Sequence, residues 1–133
     1  MQDYWSHGGG VSWGDARAIA MRFGFGFDAA SNAAGSRFDN RRMSVLIAPN
    51  DRRGELVNRI MLAEEIQHGL DKPTKEAGRF ARENPDLAGD ALVAAFHVAV
   101  FKRMLKNAAD GLFDFLTVDD IAGIEVMLQE LDS

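Results

Sequence analysis

Between Ala91 and Phe101 the sequence reads ALVAAFHVAVF, in which His97 is the single polar side chain. A helix that is apolar all round belongs inside a protein. The segment therefore predicts a buried helix that carries an imidazole into the interior. A chain of 133 residues has room for one such core, so a single domain over 1–133 is expected.

The walls of that core follow from capping and breaking signals. Ser12 has the chemistry of an N-cap for a helix over about Trp13–Arg22, with Asp15 in its first turn. Gly24 and Gly26 break that helix, and the alternation of Phe23, Phe25 and Phe27 predicts a short extended stretch. Residues 29–41 read as a loop. Met43–Ala48 (MSVLIA) is the best strand candidate, closed by Pro49-Asn50. A helix is expected over about Gly54–Leu70, ended by Pro73, and a shorter one over Lys75–Glu83 that stops before Pro85. Asp90–Asn107 is long and helical, and Gly111 punctuates the loop behind it. Thr117 and Asp120 have capping-box spacing for a last helix to about Leu131. The first 11 residues, ending in His7-Gly8-Gly9-Gly10, read as a flexible lead-in. The fold class is α+β and helix-dominated, with four to five helices and a small sheet holding 43–48.

Composition removes several functions. A net charge of −5 gives no support to nucleic-acid binding, which needs a concentrated basic surface. The pairs Arg41–Arg42 and Arg52–Arg53 read as solvated loop charges. There is no cysteine, which excludes disulfides, thiolate nucleophiles and cysteine-ligated zinc. No stretch has the length of a membrane span, and MQDYWSHGGG lacks the pattern of a signal peptide. A cytoplasmic location, or delivery to a target cell within a larger secreted protein, is expected. The HGGG string forms an oxyanion hole only beside a GxSxG elbow, which is absent.

Met61–Asp71 (MLAEEIQHGLD) carries the chemistry. At about 100° per residue, Val57, Ile60 and Met61 define an apolar arc, and Glu64 and His68 fall within it. Side chains four apart have Cβ atoms about 5–6 Å from each other, close enough to hold one ion. Glu65 sits at the edge of the arc, within reach of a water. A buried carboxyl needs a partner or a proton. A hydrogen bond between Glu64 and His68, an arginine elsewhere, or a metal ion would each serve. With His97 delivered by a second buried helix, Glu64, His68 and His97 make a two-His, one-Glu set suited to catalytic zinc.

LAEEIQHGLD resembles the active-site helix of zincin metallopeptidases, whose motif is HExxH. His68 matches the second histidine, Glu65 the catalytic glutamate, and Glu64 stands where the first histidine falls. The resemblance implies a minimal zincin-like core over 37–131, with zinc as cofactor, Glu65 as general base and a peptide or protein substrate. Zincins place a strand before this helix, and MSVLIAPN occupies that place. The longer motif with a further histidine fails, because that position is Thr74. More loosely, Arg37–Leu131 resembles the C-terminal toxin modules of bacterial polymorphic, Rhs-type proteins. AEEIQHGLD, the FH of the next long helix and FDFLTVDDI carry that likeness. It implies an immunity protein as partner.

A di-iron reading of Glu65-Ile-Gln-His68 fails for want of a second ExxH, since Ala94 stands three before His97. The competing reading is a non-enzymatic binding or adaptor domain, in which Glu64, His68 and His97 form a buried polar network without metal.

Overall fold

The computed structural model describes residues 4–30, 35–71 and 76–132. These form five α-helices and two small sheets, the helix-dominated α+β class expected. Pro73 and Thr74 lie outside the described residues, as do 31–34 of the expected loop.

Helix α1 spans Trp13–Arg22, and the Ser12 hydroxyl accepts the Asp15 N–H at 3.1 Å, as the cap predicted. Phe25 and Phe27 point inward from the extended stretch that becomes strand β2, Gly26–Ala29. Strand β3, Arg37–Asp39, and strand β4, Ser44–Ile47, form a hairpin. Its turn is held by the Asp39 carboxyl, which accepts the Arg41 and Arg42 N–H groups. β4 is the central strand, parallel to β2 and antiparallel to β3. The region expected as loop therefore contributes a strand. Phe38 supplies the reason: its ring meets Phe25 edge-on, 4.8 Å between centroids.

The second sheet corrects three expectations. Helix α2 begins at Arg59 rather than near Gly54, because 52–58 fold back on themselves. Strand β5 (Arg52–Arg53) turns through Gly54, whose φ of 60° suits glycine, into strand β6 (Leu56–Asn58). β6 then pairs with Gly10–Ser12, strand β1. Residues 4–11 are thus no flexible lead-in. They run from a buried Tyr4 in a short 3₁₀ turn, through the glycines, into a sheet edge. Arg52 and Arg53 are strand residues stacked on Trp13 and Trp5, not loop charges. Arg41 and Arg42 are exposed, as expected.

This N-terminal strap is held at one node. Asp120, with no exposed surface, accepts hydrogen bonds from Arg59 Nε at 2.6 Å, the Gly9 N–H at 3.0 Å and the Thr117 N–H at 2.9 Å. Arg59 also donates to the Gly10 carbonyl at 2.7 Å. The Asp120 N–H returns to Thr117 Oγ1, completing the capping box of helix α5, Val118–Asp132. Gly123 lets the strap touch that helix, since a Cβ there would lie 1.9 Å from the His7 carbonyl oxygen.

Helix α2, Arg59–Leu70, is the centre of the molecule, packed against α1, α5, both sheets and helix α4, Gly89–Ala109. Helix α3, Glu76–Glu83, lies against α4. α4 is less enclosed than its composition predicts. Val100, Phe101 and Met104 are buried, whereas Ala91 and Val93 are exposed and His97 is half-buried. Only the second half of the helix reaches the core, and small alanines tolerate the wet first half. Among the described residues no helix is long and apolar enough to cross a membrane.

Candidate functional site

Asn58 caps α2, its Oδ1 accepting the Met61 N–H at 3.0 Å, and so sets the rotation of the helix. Every residue from Ile60 to Gln67 is then buried. An amphipathic helix would leave its carboxylates in water. Here Glu64, Glu65 and Gln67 are enclosed, and each has to be accounted for.

Glu64 is held from the strap: the Tyr4 hydroxyl donates to its Oε1 at 2.6 Å. Its Oε2 faces His68 Nε2 at 4.0 Å, too far for a hydrogen bond. The other ring nitrogen of His68, Nδ1, is hydrogen-bonded to the Glu76 carboxyl at the start of α3. Burial alone would lower the His68 pKa. The Glu76 bond and the charges of Glu64, Glu76 and Asp71 outweigh it and raise the value above the ordinary one. Arg103 of α4 completes the outer ring, donating to Asp71 at 2.7 Å and to Glu76 at 3.4 Å. Gln67 donates to Asp71 and accepts from Asn107. Phe96 of α4 stacks on the His68 ring, with 6.1 Å between centroids.

Glu65 stands apart. Only 5% of its surface is exposed, so its carboxyl is largely withdrawn from water. Burial, then the charges of Glu64, Asp51 and Glu76, push its pKa well above the carboxylate range. Expected at the edge of the apolar arc, it is instead enclosed, in a helix packed on several sides that a helical wheel does not show. The same enclosure raises the pKa of the Tyr4 phenol, through burial and then the Glu64 charge.

Of the expected metal ligands, Glu64 and His68 are brought together. His97 is not seen to join them. Its Nδ1 donates to the Val93 carbonyl at 2.8 Å, and its ring neighbours are Phe96 and Phe101. Among the described residues no three His, Asp or Glu side chains converge to hold an ion. The pair supplies two of the three protein ligands that a catalytic zinc takes. An imidazole anchored through Nδ1 to a carboxylate, with Nε2 turned to a second carboxylate, is the usual support of a zinc-binding histidine. His97 is likewise anchored through Nδ1, which leaves Nε2 as its lone-pair nitrogen.

Sequence reasoning missed Tyr4, Glu76, Asp51, Arg103 and Asn107. Tyr4 had one signal, as the only tyrosine of the chain, set in a stretch otherwise read as linker. The others reach the site through tertiary packing, and no spacing announces them.

The chain is thus a helix-dominated α+β domain built around one buried helix that carries ionisable side chains. Comparison with protein-family models, curated proteins and solved structures finds no match.

Proposed function

We propose that this domain is a zinc-dependent hydrolase acting on peptide bonds, a toxin module of a larger bacterial protein held in check by an immunity protein. The observation that carries the reading is Glu65. An almost fully buried carboxyl among acidic neighbours, beside a carboxylate–imidazole pair set 4.0 Å apart, is costly to keep unless chemistry uses it. Glu64 and His68 would hold the ion, and His97 would have to turn toward them from its place beside Phe96 and Phe101 to act as third ligand. Bound there, zinc would supply Lewis acidity and a water of lowered pKa. Glu65 takes a proton at its carboxyl and returns it to the leaving amine. Its raised pKa makes the ionised carboxylate a stronger base for the proton it takes up. Glu76 and Arg103 keep the His68 ring in place, and Phe96 shields it from water.

A specific observation favours the second reading, a binding or adaptor domain. Much of the surrounding network is satisfied by the protein itself: Tyr4 to Glu64, His68 to Glu76, and Asp71 and Gln67 to Arg103 and Asn107. Incubating the chelator-stripped full chain with an unfolded protein substrate, with and without one equivalent of zinc, separates the two. The hydrolase reading predicts cleavage that zinc restores and chelator removes. A protein inert in both arms, whose expression leaves bacterial growth unchanged, would leave the adaptor reading standing.

A further inference from the structure

Strand β2 lies at one edge of its sheet, with β4 as its single neighbour among the described residues. The Gly26 N–H bonds to the Met43 carbonyl at 2.9 Å, and the Ala30 N–H to the Ile47 carbonyl at 2.8 Å. Backbone groups alternate in direction along a strand, so those of Phe27 and Ala29 turn away from β4. The Ala29 N–H is closed off by Asp28 Oδ1 at 2.8 Å. That leaves the Phe27 N–H and carbonyl, the two groups that one residue exchanges with its opposite in an antiparallel pair. Beside them is an open hollow of about 570 Å³, lined by Arg17 and Met21 of α1 and by Phe25, Phe27 and Asp28. Arg17 and Met21 stand four apart on one flank of the helix, both exposed. Arg22 of the same helix is paired with Asp114, whereas Arg17 forms no ion pair among the described residues.

We infer that this edge docks an extended peptide segment of a partner protein, antiparallel to β2, with an apolar side chain in the hollow and a carboxylate on Arg17. A free sheet edge beside an apolar pocket is how proteins add a strand from a partner. Phe27 turns its ring to Trp13 of α1, 4.7 Å between centroids. Opposed side chains of an antiparallel pair share a face, so the partner residue opposite Phe27 sends its side chain over the hollow. The residue before it lies opposite Asp28 and is basic. The residue two positions after it returns to the α1 side and is the acid that Arg17 takes. Backbone bonds fix the register, and the two charges fix the direction. None of these residues belongs to the candidate site, so the inference stands apart from the hydrolase reading.

The test uses the full chain, isotope-labelled for amide NMR, with the acetylated peptide Thr-Lys-Leu-Thr-Glu-Thr as the probe. The Phe27 amide signal is expected to shift on titration, because its N–H gains an acceptor. N-methylation of the leucine removes the donor to the Phe27 carbonyl and keeps the side chain. It should weaken binding about tenfold, the worth of one hydrogen bond. Arg17→Ala, or exchange of lysine and glutamate in the peptide, should weaken it by up to about fivefold, the scale of an exposed ion pair. A Phe27 signal unmoved at millimolar peptide overturns the inference. Equal affinity for the N-methylated peptide also overturns it, since contact then lies off the strand edge. So does equal affinity for the charge-exchanged peptide, which removes Arg17 and Asp28 from recognition.

Discussion

Glu65→Gln is expected to lower hydrolysis by about 10²–10⁴-fold, the usual contribution of a general acid–base group, while the variant melts at a higher temperature than the native chain near neutral pH. Both effects come from one cause. The native carboxyl has its folded pKa raised by burial and by its acidic neighbours, above an ordinary value of 4.5. A raised value means that the folded state binds the proton more tightly. The associated stability is fully present below 4.5 and is lost as the pH rises through the folded pKa. Glutamine resembles the protonated acid and has no such loss. It should therefore stabilise the fold near neutral pH. The gain should vanish in mild acid. Melting curves across pH, beside a cleavage assay, check both halves. A fully active Glu65→Gln protein removes Glu65 from the mechanism. One less stable than the native chain at every pH shows that the carboxyl has a partner that glutamine cannot replace.

The largest loss of stability is expected at Asp120. Asp120→Ala strands the Arg59 guanidinium and leaves the Gly9 and Thr117 N–H groups unpaired. Removing one partner of a buried ion pair costs about 3–5 kcal/mol, a large share of the roughly 5–15 kcal/mol that holds a domain folded. Burial works against the Asp120 charge. The hydrogen bonds from Arg59, Thr117 and Gly9 outweigh that effect and hold its pKa below 3.8. The stability it contributes is therefore present above 3.8 and is lost as the pH falls through the lower folded value. Urea unfolding of both proteins should show the full deficit at neutral pH and a smaller one in acid. A loss below about 1 kcal/mol would place the pair among exposed ion pairs of little worth.

Elements set by local chemistry were legible before the fold was seen. α1 is announced by Ser12, α5 by Thr117 and Asp120, and β4 by MSVLIA between turn residues. Those that depend on a distant partner were not. Leu56–Asn58 continue the apolar spacing of α2, yet they form a strand because Gly10–Ser12 arrive beside them from the start of the chain. The glycine run that suggested a linker is small because the strap passes close to the side chains of Ile60, Arg59 and Leu56. The site divides in the same way. Glu64 and His68 share a helix face and were readable from i,i+4 spacing. Glu76 bonds to His68 across a helix break, where periodicity gives no register. His97 was placed inside by the apolar run around it, but half of α4 stands proud of the core.

The central claim is that Glu64 and His68 hold zinc. It is tested most directly by elemental analysis of the full chain purified without added metal, followed by zinc titration of chelator-stripped protein. Close to one bound equivalent is expected, lost in His68→Ala. Zinc at 100 times its Kd should then stabilise the native fold by about 2.7 kcal/mol. A protein that carries no metal, with a melting temperature and His68 NMR signals unmoved by added zinc, would contradict it.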